Sequence, residues 1–428
     1  MYLQKKVLPI LIILTSAFPV LFIQLKEQEP TLNIYIILAK TGSLCGTVLI
    51  FWQFLLGYRQ IIGKITTDLL WVFKLHKTIG KYILLLIVLH PIFITLYYLE
   101  KKSINPLFPS EYSPFYVYVL LGKIAIVLFF AVVVTSIFFR SRLGRTWWYG
   151  FHVLSYVALP LVMVHSLAIG MTIRNSAIGM VWRFLAVLIF LLFIFRIFCR
   201  LGIMSKKHKV SKVEAVGPNV TKITCQPAGA KVEPKLGQFV YFRQGFRGCI
   251  RPFTVSHYDK ENGKISVTVK AKGKASQALQ KIKPGETVYI EGPYGIFTHA
   301  ALEGNRPIVM IAGGIGITPF VRLFEELAYE PDREVHLFYG NRHKNEIVYK
   351  EELENSEHIR TVHVLSQEED YEMETGFIDI NLIKKYVGAL ERYDFLICGP
   401  PPMIVKLESA LKEAGLDEKQ IHHELFGY

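Results

Sequence analysis

Paired cysteines are missing from this sequence. Its 428 residues include five cysteines, at Cys45, Cys199, Cys225, Cys249 and Cys398. They form no CxxC motif and no paired spacing, so they indicate neither a zinc site nor a disulfide framework. The sequence also lacks an internal repeat and a low-complexity tract, which argues against a repeat protein or a disordered chain.

Acidic residues are scarce in one half of the chain only. Residues 1–210 hold 22 Lys and Arg against 5 Asp and Glu, a net charge of +17, whereas residues 211–428 contribute −3 to the total of +14. The basic excess therefore lies in the apolar half. Basic loops beside apolar segments are typical of membrane helices rather than of a nucleic-acid patch. We expect a lipid bilayer as a partner and no nucleic acid.

Six apolar runs in the first half are long enough to cross a bilayer, which takes about 20 residues. They cover 7–25, 34–56, 76–99, 115–139, 147–170 and 177–203. The first run could be a signal peptide, but it has no convincing cleavage site, so we interpret it as a retained helix. Basic residues gather before the first run, in the second and fourth loops and after the sixth run. The positive-inside rule then predicts a multi-pass protein of the cell membrane with both termini in the cytoplasm.

Four histidines lie within two of these apolar runs. His76 and His90 are 14 residues apart, and His152 and His165 are 13 apart. At about 1.5 Å of rise per residue, each pair spans roughly 20 Å of helix. Because both helices are predicted to run outward, His76 is level with His152 and His90 with His165. The spacing leaves His165 off the face of His152, and a kink at Pro160 could re-aim it.

Each level therefore offers two imidazoles from opposite sides, which is the axial ligand set of a bis-histidine haem. No Cys, Asp or Glu completes a zinc site at either level. A single such histidine is more often a satisfied core residue than a ligand, but two matched pairs favour two haem groups. A haem with both axial positions filled can pass electrons singly but has no open position for a substrate.

The second half of the chain predicts two soluble domains. Residues 212–297 contain short alternating strands, which indicate an antiparallel β-barrel. Residues 305–428 alternate apolar strands with amphipathic helices, which is typical of a parallel nucleotide-binding sheet. The predicted fold is a membrane all-α six-helix bundle followed by an antiparallel β-barrel domain and an α/β parallel-sheet domain. The predicted boundaries are 1–205, 206–300 and 301–428.

Two short motifs of the barrel carry candidate flavin contacts. In RPFTVS, Arg251 can neutralise a pyrophosphate and Thr254 can hydrogen-bond a flavin ring. In KGKASQAL, Gly273 and Ser276 open a predicted helix whose N-terminal amides could hold the same phosphate. Taken alone, each motif could equally be an ordinary strand start or helix start.

Two motifs of the α/β domain carry candidate nicotinamide contacts. The stretch IAGGIGITP follows a strand and precedes a helix, and Gly313, Gly314 and Gly316 let a dinucleotide phosphate approach the backbone. It is not the full Rossmann fingerprint, and a tight glycine turn is the alternative. The stretch CGPPPM ends the fourth predicted strand, at the sheet edge where ligands bind. Cys398 in it is predicted to position the nicotinamide rather than to act as a nucleophile.

Together, the stretches RPFT, GPYGIF, GGIGITP, CGPPPM and ELFGY resemble the ferredoxin–NADP reductase family. With the six apolar helices and the four histidines, the chain resembles the NADPH oxidase/ferric reductase superfamily along nearly its whole length. The resemblance implies FAD, two haem b groups, and NAD(P)H as co-substrate. It implies electron flow through the pair His76–His152 and then the pair His90–His165. It implies oxygen as the external acceptor, giving superoxide, or alternatively a ferric chelate, and no obligatory protein subunit is evident.

The resemblance also implies roles for individual residues of the soluble half. The implied FAD contacts are Phe239, Arg251, Pro252, Phe253, Thr254, Gly273 and Ser276. The implied NAD(P)H contacts are Gly313, Gly314, Gly316, Thr318, Pro319, Arg342, Gly399 and Pro400. The implied catalytic residues are Cys398, Glu424 and Phe426, with Phe426 stacking on the flavin and Tyr428 as its rival.

The chain departs from the animal oxidases at the outer haem level. These have a further histidine one helical turn beyond the outer ligand and a cationic residue in the second helix. Here the positions correspond to Ile94 and Lys40. Lys40 could steer an anion, or its ammonium could snorkel to the lipid headgroups. The rival functions are a channel or transporter and a haem-bearing sensor or quinone-linked cytochrome subunit. The sequence has neither the arginine ladder nor the broken helices typical of the first two, and the last two would not need a nicotinamide domain of their own.

Overall fold

The chain folds into two compact units, Met1–Ile197 and Phe198–Tyr428. The division falls within the last long apolar helix. This is a computed structural model, and it describes residues 2–108, 115–140, 142–245, 248–370 and 372–425.

Helices are the only regular secondary structure among the described residues of the first unit. Six helical segments among them are long and apolar enough to cross a membrane, which confirms the predicted six-helix membrane architecture. In chain order the helices are α1 (Tyr2–Ala17), α2 (Pro30–Leu56), α3 (Arg59–Ile62), α4 (Leu69–Lys102), α5 (Tyr116–Ile137), α6 (Arg145–Val153), α7 (Ser155–Ile169), α8 (Met171–Arg174) and α9 (Ile178–Arg200).

Helix α4 begins seven residues before the predicted start of the third apolar run. Asp68 caps it, because its side chain accepts a hydrogen bond from the backbone amide of Trp71 at 3.1 Å. The Lys5 ammonium lies 2.6 Å from the same carboxylate. A capping carboxylate satisfies an amide that the first helical turn leaves unpaired, so the helix extends beyond its apolar segment.

The fifth apolar run is divided between two helical segments. The break lies at Leu154, between α6 and α7, and Pro160 lies inside the continuous helix α7. Beside the break, the Ser155 hydroxyl donates to the carbonyl of His152 at 2.7 Å. Leu154 itself keeps helical backbone angles, with a φ of −58° and a ψ of −25°, and α6 and α7 together form one candidate membrane span, Thr146–Ile169.

Glycines let α2 and α4 pack closely. A Cβ at Gly42 would lie 2.7 Å from the Leu86 carbonyl, and one at Gly46 would lie 2.7 Å from the Cγ2 of Ile87. This spacing is the small-xxx-small pattern by which membrane helices bring their backbones together. The contact fixes α2 beside the part of α4 that carries His90.

The second unit begins with a closed antiparallel barrel in the strand order β1-β2-β5-β4-β3-β6. Alternate side chains such as Val255 and Val267, which pair between β4 and β5, fill its interior. This confirms the predicted barrel. Its strands are β1 (Lys206–Gly217), β2 (Val220–Pro227), β3 (Phe239–Gln244), β4 (Arg251–Asp259), β5 (Lys264–Lys270) and β6 (Thr287–Tyr294).

A parallel six-stranded sheet follows, in the order β10-β9-β8-β7-β11-β12, as the sequence predicts for a nucleotide-binding fold. The central strands β7 and β11 are buried at every residue. The strands are β7 (Ile308–Gly313), β8 (Val335–Asn341), β9 (Ile359–Leu365), β10 (Glu374–Thr375), β11 (Asp394–Gly399) and β12 (Ile421–Leu425). The helices of this unit are α10 (Lys274–Leu279), α11 (His299–Glu303), α12 (Thr318–Leu327), α13 (Lys350–Glu354), α14 (Ile380–Val387) and α15 (Pro401–Glu413).

Candidate functional site

The four intramembrane histidines meet in two pairs. The ring centroids of His76 on α4 and His152 on α6 are 6.2 Å apart, with an interplanar angle of 56°. Those of His90 on α4 and His165 on α7 are 6.1 Å apart, at 77°. The structure therefore brings together the residues that the sequence pairs by level. Along α4 the two levels are separated by roughly 20 Å of helix.

These ring separations suit a metal ion between each pair. Two metal–imidazole bonds of about 2 Å, plus roughly 1 Å from each nitrogen to its ring centroid, place two axial rings about 6 Å apart. Two imidazoles in direct contact, with no group between them, would have no reason to show the same centroid separation at both levels. The two pairs thus share the geometry of an axial ligand set.

Hydrogen bonds at the outer pair fix which ring nitrogen faces the partner. The Nδ1–H of His90 donates to the Ala39 carbonyl at 3.2 Å, and the Nδ1–H of His165 donates to the Tyr118 carbonyl at 2.7 Å. Because a carbonyl can only accept, both Nδ1 atoms carry the proton. The Nε2 lone pairs of the neutral rings are then available for iron, as second-shell hydrogen bonds to ligand histidines usually arrange.

The inner pair is held mainly by stacking and helix contacts. The buried Nδ1 atoms of His76 and His152 have no hydrogen-bond partner among the described residues. The Trp148 ring stacks on His152 with centroids 5.1 Å apart at 25°, and the Arg140 guanidinium lies 5.1 Å from the Trp148 ring centroid. Gln53 donates to the carbonyl of His76 at 2.9 Å. A buried imidazole nitrogen without a hydrogen-bond partner is expected where a bound group, and not the protein alone, holds the ring in position.

A glycine makes room for the outer ligand. A Cβ at Gly122 on α5 would lie 2.7 Å from Nδ1 and 2.8 Å from Cε1 of His165. Any side chain at this position would require the His165 imidazole or its helix to shift. Sequence reasoning missed Gly122, because nothing in the apolar run that contains it indicates a contact with a helix 40 residues later.

The donor set excludes a conventional metal site in the described part of the chain. No group of three or more His, Cys, Asp or Glu side chains lies close enough there to hold a metal ion. Two facing imidazoles alone suit an iron whose four equatorial ligands come from a porphyrin. The residues at both levels therefore fit haem.

A cavity of about 500 Å³ is lined by both rings of the outer pair, so it is the space in which a group held by them would lie. It is lined by His90, His165 and Ile94, and by two cationic side chains, Lys40 and Lys123. This volume lies within the range of small-molecule and cofactor sites. Sequence reasoning singled out Lys40 and missed Lys123.

The flavin candidates of the barrel gather at one end of β3 and β4. Thr254 pairs in register with Phe239, and its buried hydroxyl has no hydrogen-bond partner among the described residues. The Phe239 ring lies against Gly295, where a Cβ would be 3.1 Å from the ring edge. A buried, unpartnered hydroxyl is costly unless a ligand uses it. Thr254 thus fits the predicted hydrogen bond to a flavin ring.

The nicotinamide candidates lie beside the same point. Cys398 at the end of β11 pairs in register with Glu424 of β12. A Cβ at Gly295 would lie 3.6 Å from Oε1 of Glu424, so the carboxyl group adjoins the flavin candidates. The thiol of Cys398 is fully buried, and this burial, with the nearby Glu424 charge, raises its pKa well above the usual range. A neutral thiol supports a positioning role rather than nucleophilic attack.

The glycine loop packs directly on the end of β11. A Cβ at Gly316 would lie 2.2 Å from the Cys398 carbonyl, and one at Gly313 would lie 2.7 Å from the Cδ of Pro400. The Cα of Gly313 lies 3.1 Å from where a Cβ of Gly399 would stand. The two predicted nicotinamide motifs therefore form one surface at the carboxyl ends of β7 and β11. Thr318 and Pro319 continue from it as the buried start of α12.

A lysine that sequence reasoning missed lies beside this loop. The Lys270 ammonium, at the end of β5, is 3.9 Å from where a Cβ of Gly314 would stand. It pairs with Glu346 at 3.0 Å, and Arg342 pairs with the other oxygen of that carboxylate at 2.6 Å. Burial opposes ionisation of Glu346, but these two hydrogen bonds outweigh it and hold its pKa below the ordinary value. Arg342, a predicted nucleotide contact, therefore belongs to an ion-pair network next to the glycine loop.

The remaining predicted contacts lie on exposed or half-buried positions. Arg251, at the start of β4, donates to its neighbouring carbonyl at 2.9 Å. Gly273 and Ser276 open α10, where the Ser276 hydroxyl accepts from the Gly273 amide at 3.0 Å. Pro252 and Phe253 lie on β4 opposite β3. Phe426 and Tyr428 fall outside the described residues.

Each of the three parts of this architecture matches a known protein family. Residues 41–163 match the ferric reductase like transmembrane component. Residues 207–299 match the oxidoreductase FAD-binding domain, and residues 310–408 match the oxidoreductase NAD-binding domain. The order of the three matches along the chain is the order of the three structural elements described above.

Individual relatives match the soluble half. One component of the Na(+)-translocating NADH-quinone reductase of Idiomarina loihiensis is 31% identical over 42% of this chain, and the match spans about half, 49%, of that component. NADH-cytochrome b5 reductase 1 of Lodderomyces elongisporus is 31% identical over 47% of this chain and 68% of its own length. Among solved structures, the FAD/NAD-binding domain of nitric oxide dioxygenase from Vibrio cholerae aligns at a TM-score of 0.47 and 22% identity, over 52% of this chain and 99% of that chain.

The helices, the barrel and the parallel sheet thus coincide with three matched families in one chain. The chain is a multi-pass membrane oxidoreductase that joins a ferric reductase-like transmembrane component to FAD-binding and NAD-binding domains, and it belongs to the NADPH oxidase/ferric reductase architecture.

Proposed function

We propose that this protein is an NAD(P)H oxidase of the cell membrane, with both termini in the cytoplasm. Electrons pass from cytoplasmic NAD(P)H through FAD and two b-type haems to external oxygen. Each NAD(P)H gives two electrons and releases one proton, and two oxygen molecules become two superoxide anions. In this assignment residues 1–205 carry the haems, residues 206–300 the FAD and residues 301–428 the NAD(P)H.

The observation that carries the proposal is the pairing of the four intramembrane histidines at two levels. When bound, FAD accepts a hydride and releases electrons singly, and haem iron passes one electron at a time. His76 and His152 would hold the inner haem, and His90 and His165 the outer one. The carbonyls of Ala39 and Tyr118 keep the outer imidazoles in the tautomer that ligation needs.

The soluble residues bind and orient the two organic partners. Thr254 would hydrogen-bond the flavin ring, while Arg251 neutralises its pyrophosphate. The glycine loop, with Gly316 packed on the Cys398 carbonyl, would hold the NAD(P)H pyrophosphate against the N-terminus of α12. Lys270 lies beside this loop and would compensate the phosphate charge. Cys398 and Glu424 would position the nicotinamide next to Phe239 and the flavin.

A transmembrane ferric reductase with the same electron path is the second candidate. The match of residues 41–163 to a ferric reductase like component supports it, as does Ile94 in place of a histidine in the outer cavity. An apolar side chain at that position supplies no proton donor to a reduced oxygen species. Both candidates need the same two haems and the same flavin.

A reduced-minus-oxidised absorption spectrum of the purified full chain tests the electron path. Addition of NAD(P)H under anaerobic conditions is expected to reduce all of the haem. A protein without b-type haem, or haem that NAD(P)H leaves oxidised, would contradict the proposal.

A parallel assay separates the two acceptors. Superoxide and ferric-chelate reduction are measured together, with and without superoxide dismutase, since superoxide itself reduces ferric iron. Superoxide that dismutase removes is the expected result. Iron reduction that dismutase leaves unchanged, in the absence of superoxide, would favour the ferric reductase.

A further inference from the structure

A short hydrogen-bonded turn joins the last apolar helix to the barrel. Five residues, 201–205, separate α9 from β1. Gly202, with a φ of +75°, donates its amide to the Cys199 carbonyl at 3.1 Å, and the next amide, that of Ile203, donates to the Phe198 carbonyl at 3.1 Å. These two bonds form a Schellman motif, which ends a helix with a defined backbone conformation. The chain therefore leaves α9 in a fixed direction.

The side chain of Arg243, on β3, packs on this helix end. Its Nη1 donates to the Arg200 carbonyl at 3.0 Å. A Cβ at Gly202 would overlap the guanidinium, with 2.9 Å to its Cζ, so a glycine makes room for the arginine. A cation at a helix C-terminus is favourable, because the carbonyls of the last turn lack partners within the helix. Both the last turn of α9 and β3 belong to the second unit.

The guanidinium is used inside the protein rather than at its surface. Arg243 is 3% exposed, and its Cζ lies 5.0 Å from the centroid of the Tyr289 ring. Burial of a charged group costs free energy unless hydrogen bonds and other attractions compensate it. The contacts with α9 and with the aromatic ring supply this compensation, so the arginine joins two elements of the fold.

The same strand carries a flavin candidate at its other end. Phe239 begins β3, and Arg243 lies four residues further along it. Val240 and Phe242 fill the interior of the barrel, so Phe239 and Arg243 share the outer face of the strand. Four residues of strand cover roughly 13 Å. The backbone of β3 therefore connects the flavin candidates with the end of α9.

Strand β3 cannot shift by itself. It is hydrogen-bonded to β4 on one side and to β6 on the other. Arg243 pairs in register with Tyr289 of β6, the residue whose ring its guanidinium covers. A loss of the contact with α9 would therefore release this whole edge of the barrel, including the flavin candidates on β3 and β4.

A separate contact holds the barrel to the sheet domain. Arg322 of α12 donates to the Pro234 carbonyl at 3.2 Å. This contact involves neither β3 nor α9. The arrangement of the flavin candidates beside the nicotinamide candidates is therefore independent of Arg243.

We propose that Arg243 is a positioning residue for the transfer of electrons out of the flavin, because it fixes the flavin-binding strand on the last turn of α9. The inference rests on the proposed function. In the step concerned, the fully reduced flavin anion returns to oxidised FAD, releases one proton and gives up two electrons, which reduce two ferric haems to the ferrous state. Reaction between held partners depends steeply on their separation and orientation. Loss of Arg243 slows this step and leaves hydride transfer to the flavin unchanged.

Anaerobic stopped-flow absorbance on the full chain loaded with FAD and haem separates the two steps. NAD(P)H is mixed with the oxidised protein, and bleaching of the flavin and formation of ferrous haem are followed together. For Arg243→Met, the rate constant of flavin reduction is expected to stay within about twofold, and that of haem reduction to fall about tenfold. Reduced flavin should then accumulate before the haem is reduced.

Lys207→Met is the matched control. This exposed lysine of β1 also pairs in register with Tyr289, and its side chain has no hydrogen bond to α9 in the described structure. Its replacement removes one positive charge from the same part of the barrel and should leave both rate constants unchanged. Arg243→Lys, which can still donate to the Arg200 carbonyl, should retain most of the rate of haem reduction.

Gly202→Ala is a second, independent variant, because it keeps the arginine but displaces its guanidinium. It should slow haem reduction as Arg243→Met does, and it carries the test by itself if Arg243→Met does not fold. Haem reduction at the natural rate in the folded variants would overturn the inference. So would an equal fall in both rate constants with a loss of bound FAD, because Arg243 would then serve the stability of the barrel. Failure of the electron path itself is seen separately, as a natural protein whose haem dithionite reduces and NAD(P)H does not.

Discussion

The two units of this protein meet opposite surroundings. Large apolar side chains of the first unit are exposed, including Leu85 at 71% and Phe190 at 63%, whereas every residue of β7 and β11 in the second unit is buried. The exposed apolar surface of six spanning helices suits lipid, while the second unit hides its apolar residues from water. The same apolar residue type therefore lies outside in one unit and inside in the other.

Individual buried polar groups can be compared between the units. In the second unit, Arg322 is buried but donates to the carbonyls of Pro234 at 3.2 Å and Lys235 at 3.1 Å, which joins the sheet domain to the barrel. In the first unit, buried nitrogens of His76 and His152 have no partner in the described residues. Arg322 is thus satisfied by protein partners, whereas the imidazole nitrogens of His76 and His152 fit a bound group.

The largest expected effect is at the histidine pairs. His90→Ala should remove about half of the haem and abolish electron transfer to an external acceptor, because a single imidazole cannot fill both axial positions. Haem absorbance per mole of protein measures the loss. FAD content should stay at one per chain, because the flavin candidates lie in the second unit and the substitution is in the first.

His257→Ala is the control, since this exposed histidine of β4 belongs to the second unit. It should retain both haems. A His90→Ala protein that keeps two haems would remove the first unit from the proposed electron path.

A matched pair of glycines tests the second unit. Gly316→Ala should destabilise it by roughly 2–4 kcal/mol, since the new Cβ would overlap a backbone carbonyl. At Gly229 a Cβ would meet no atom within 4 Å, so Gly229→Ala should change the free energy of unfolding by less than about 0.5 kcal/mol. Chemical unfolding followed by flavin release measures both. Equal destabilisation would show that the glycine loop is not tightly packed on β11.

Thr254 provides an exception to the structural use of polar groups in the second unit. Thr254→Val should leave the stability of the flavin-free protein unchanged or raised, because the hydroxyl has no protein partner among the described residues. FAD affinity should fall about fivefold, the cost of roughly one hydrogen bond. Fluorescence titration with FAD gives the dissociation constant.

Ser256→Ala is the comparison, since the buried Ser256 hydroxyl bonds the Ser266 carbonyl at 3.3 Å. It should lower stability rather than FAD affinity. A reversed pattern would place the flavin elsewhere on the barrel.

The smallest expected effect concerns the ion pairs of Glu346, which link the barrel to the sheet domain, and the way their contribution to stability depends on pH. The pKa of Glu346 is held below its ordinary value, so its ion pairs stabilise the folded unit above the unfolded pKa, about 4.3. This contribution is lost as the pH falls through the folded pKa. Glu346→Gln should therefore flatten the fall in unfolding free energy between neutral pH and acid by about 0.5–1 kcal/mol. A fall of unchanged size would show that Lys270 and Arg342 find other partners.

Much of the fold followed from local patterns. Apolar runs predicted the six spanning helices, and period-two alternation predicted the barrel. The difference from the predicted boundaries lies where a single contact decides, such as the Asp68 cap that starts α4 early. The short strand β12 was not predicted, because Ile421–Leu425 pairs with β11 and carries little alternation of its own.

The candidate site was predictable where its residues recur with regular spacing. Two histidine pairs and a glycine-rich loop are visible as patterns. No such pattern indicated Lys123 or Lys270. Each is a single polar residue in an ordinary helix or strand, and its role depends on partners far along the chain. Lys270, for example, reaches Glu346 across 76 residues.

The sequence by itself determined which half meets lipid, which half meets water, and which residue types each half contributes to the chemistry. These properties depend on local hydropathy, charge and spacing. Only the tertiary structure decided that the histidine rings face each other about 6 Å apart, that Gly122 makes room for one of them, and that two lysines share a cavity with it. Distances between helices depend on how side chains interlock, and no spacing along a single helix contains that information.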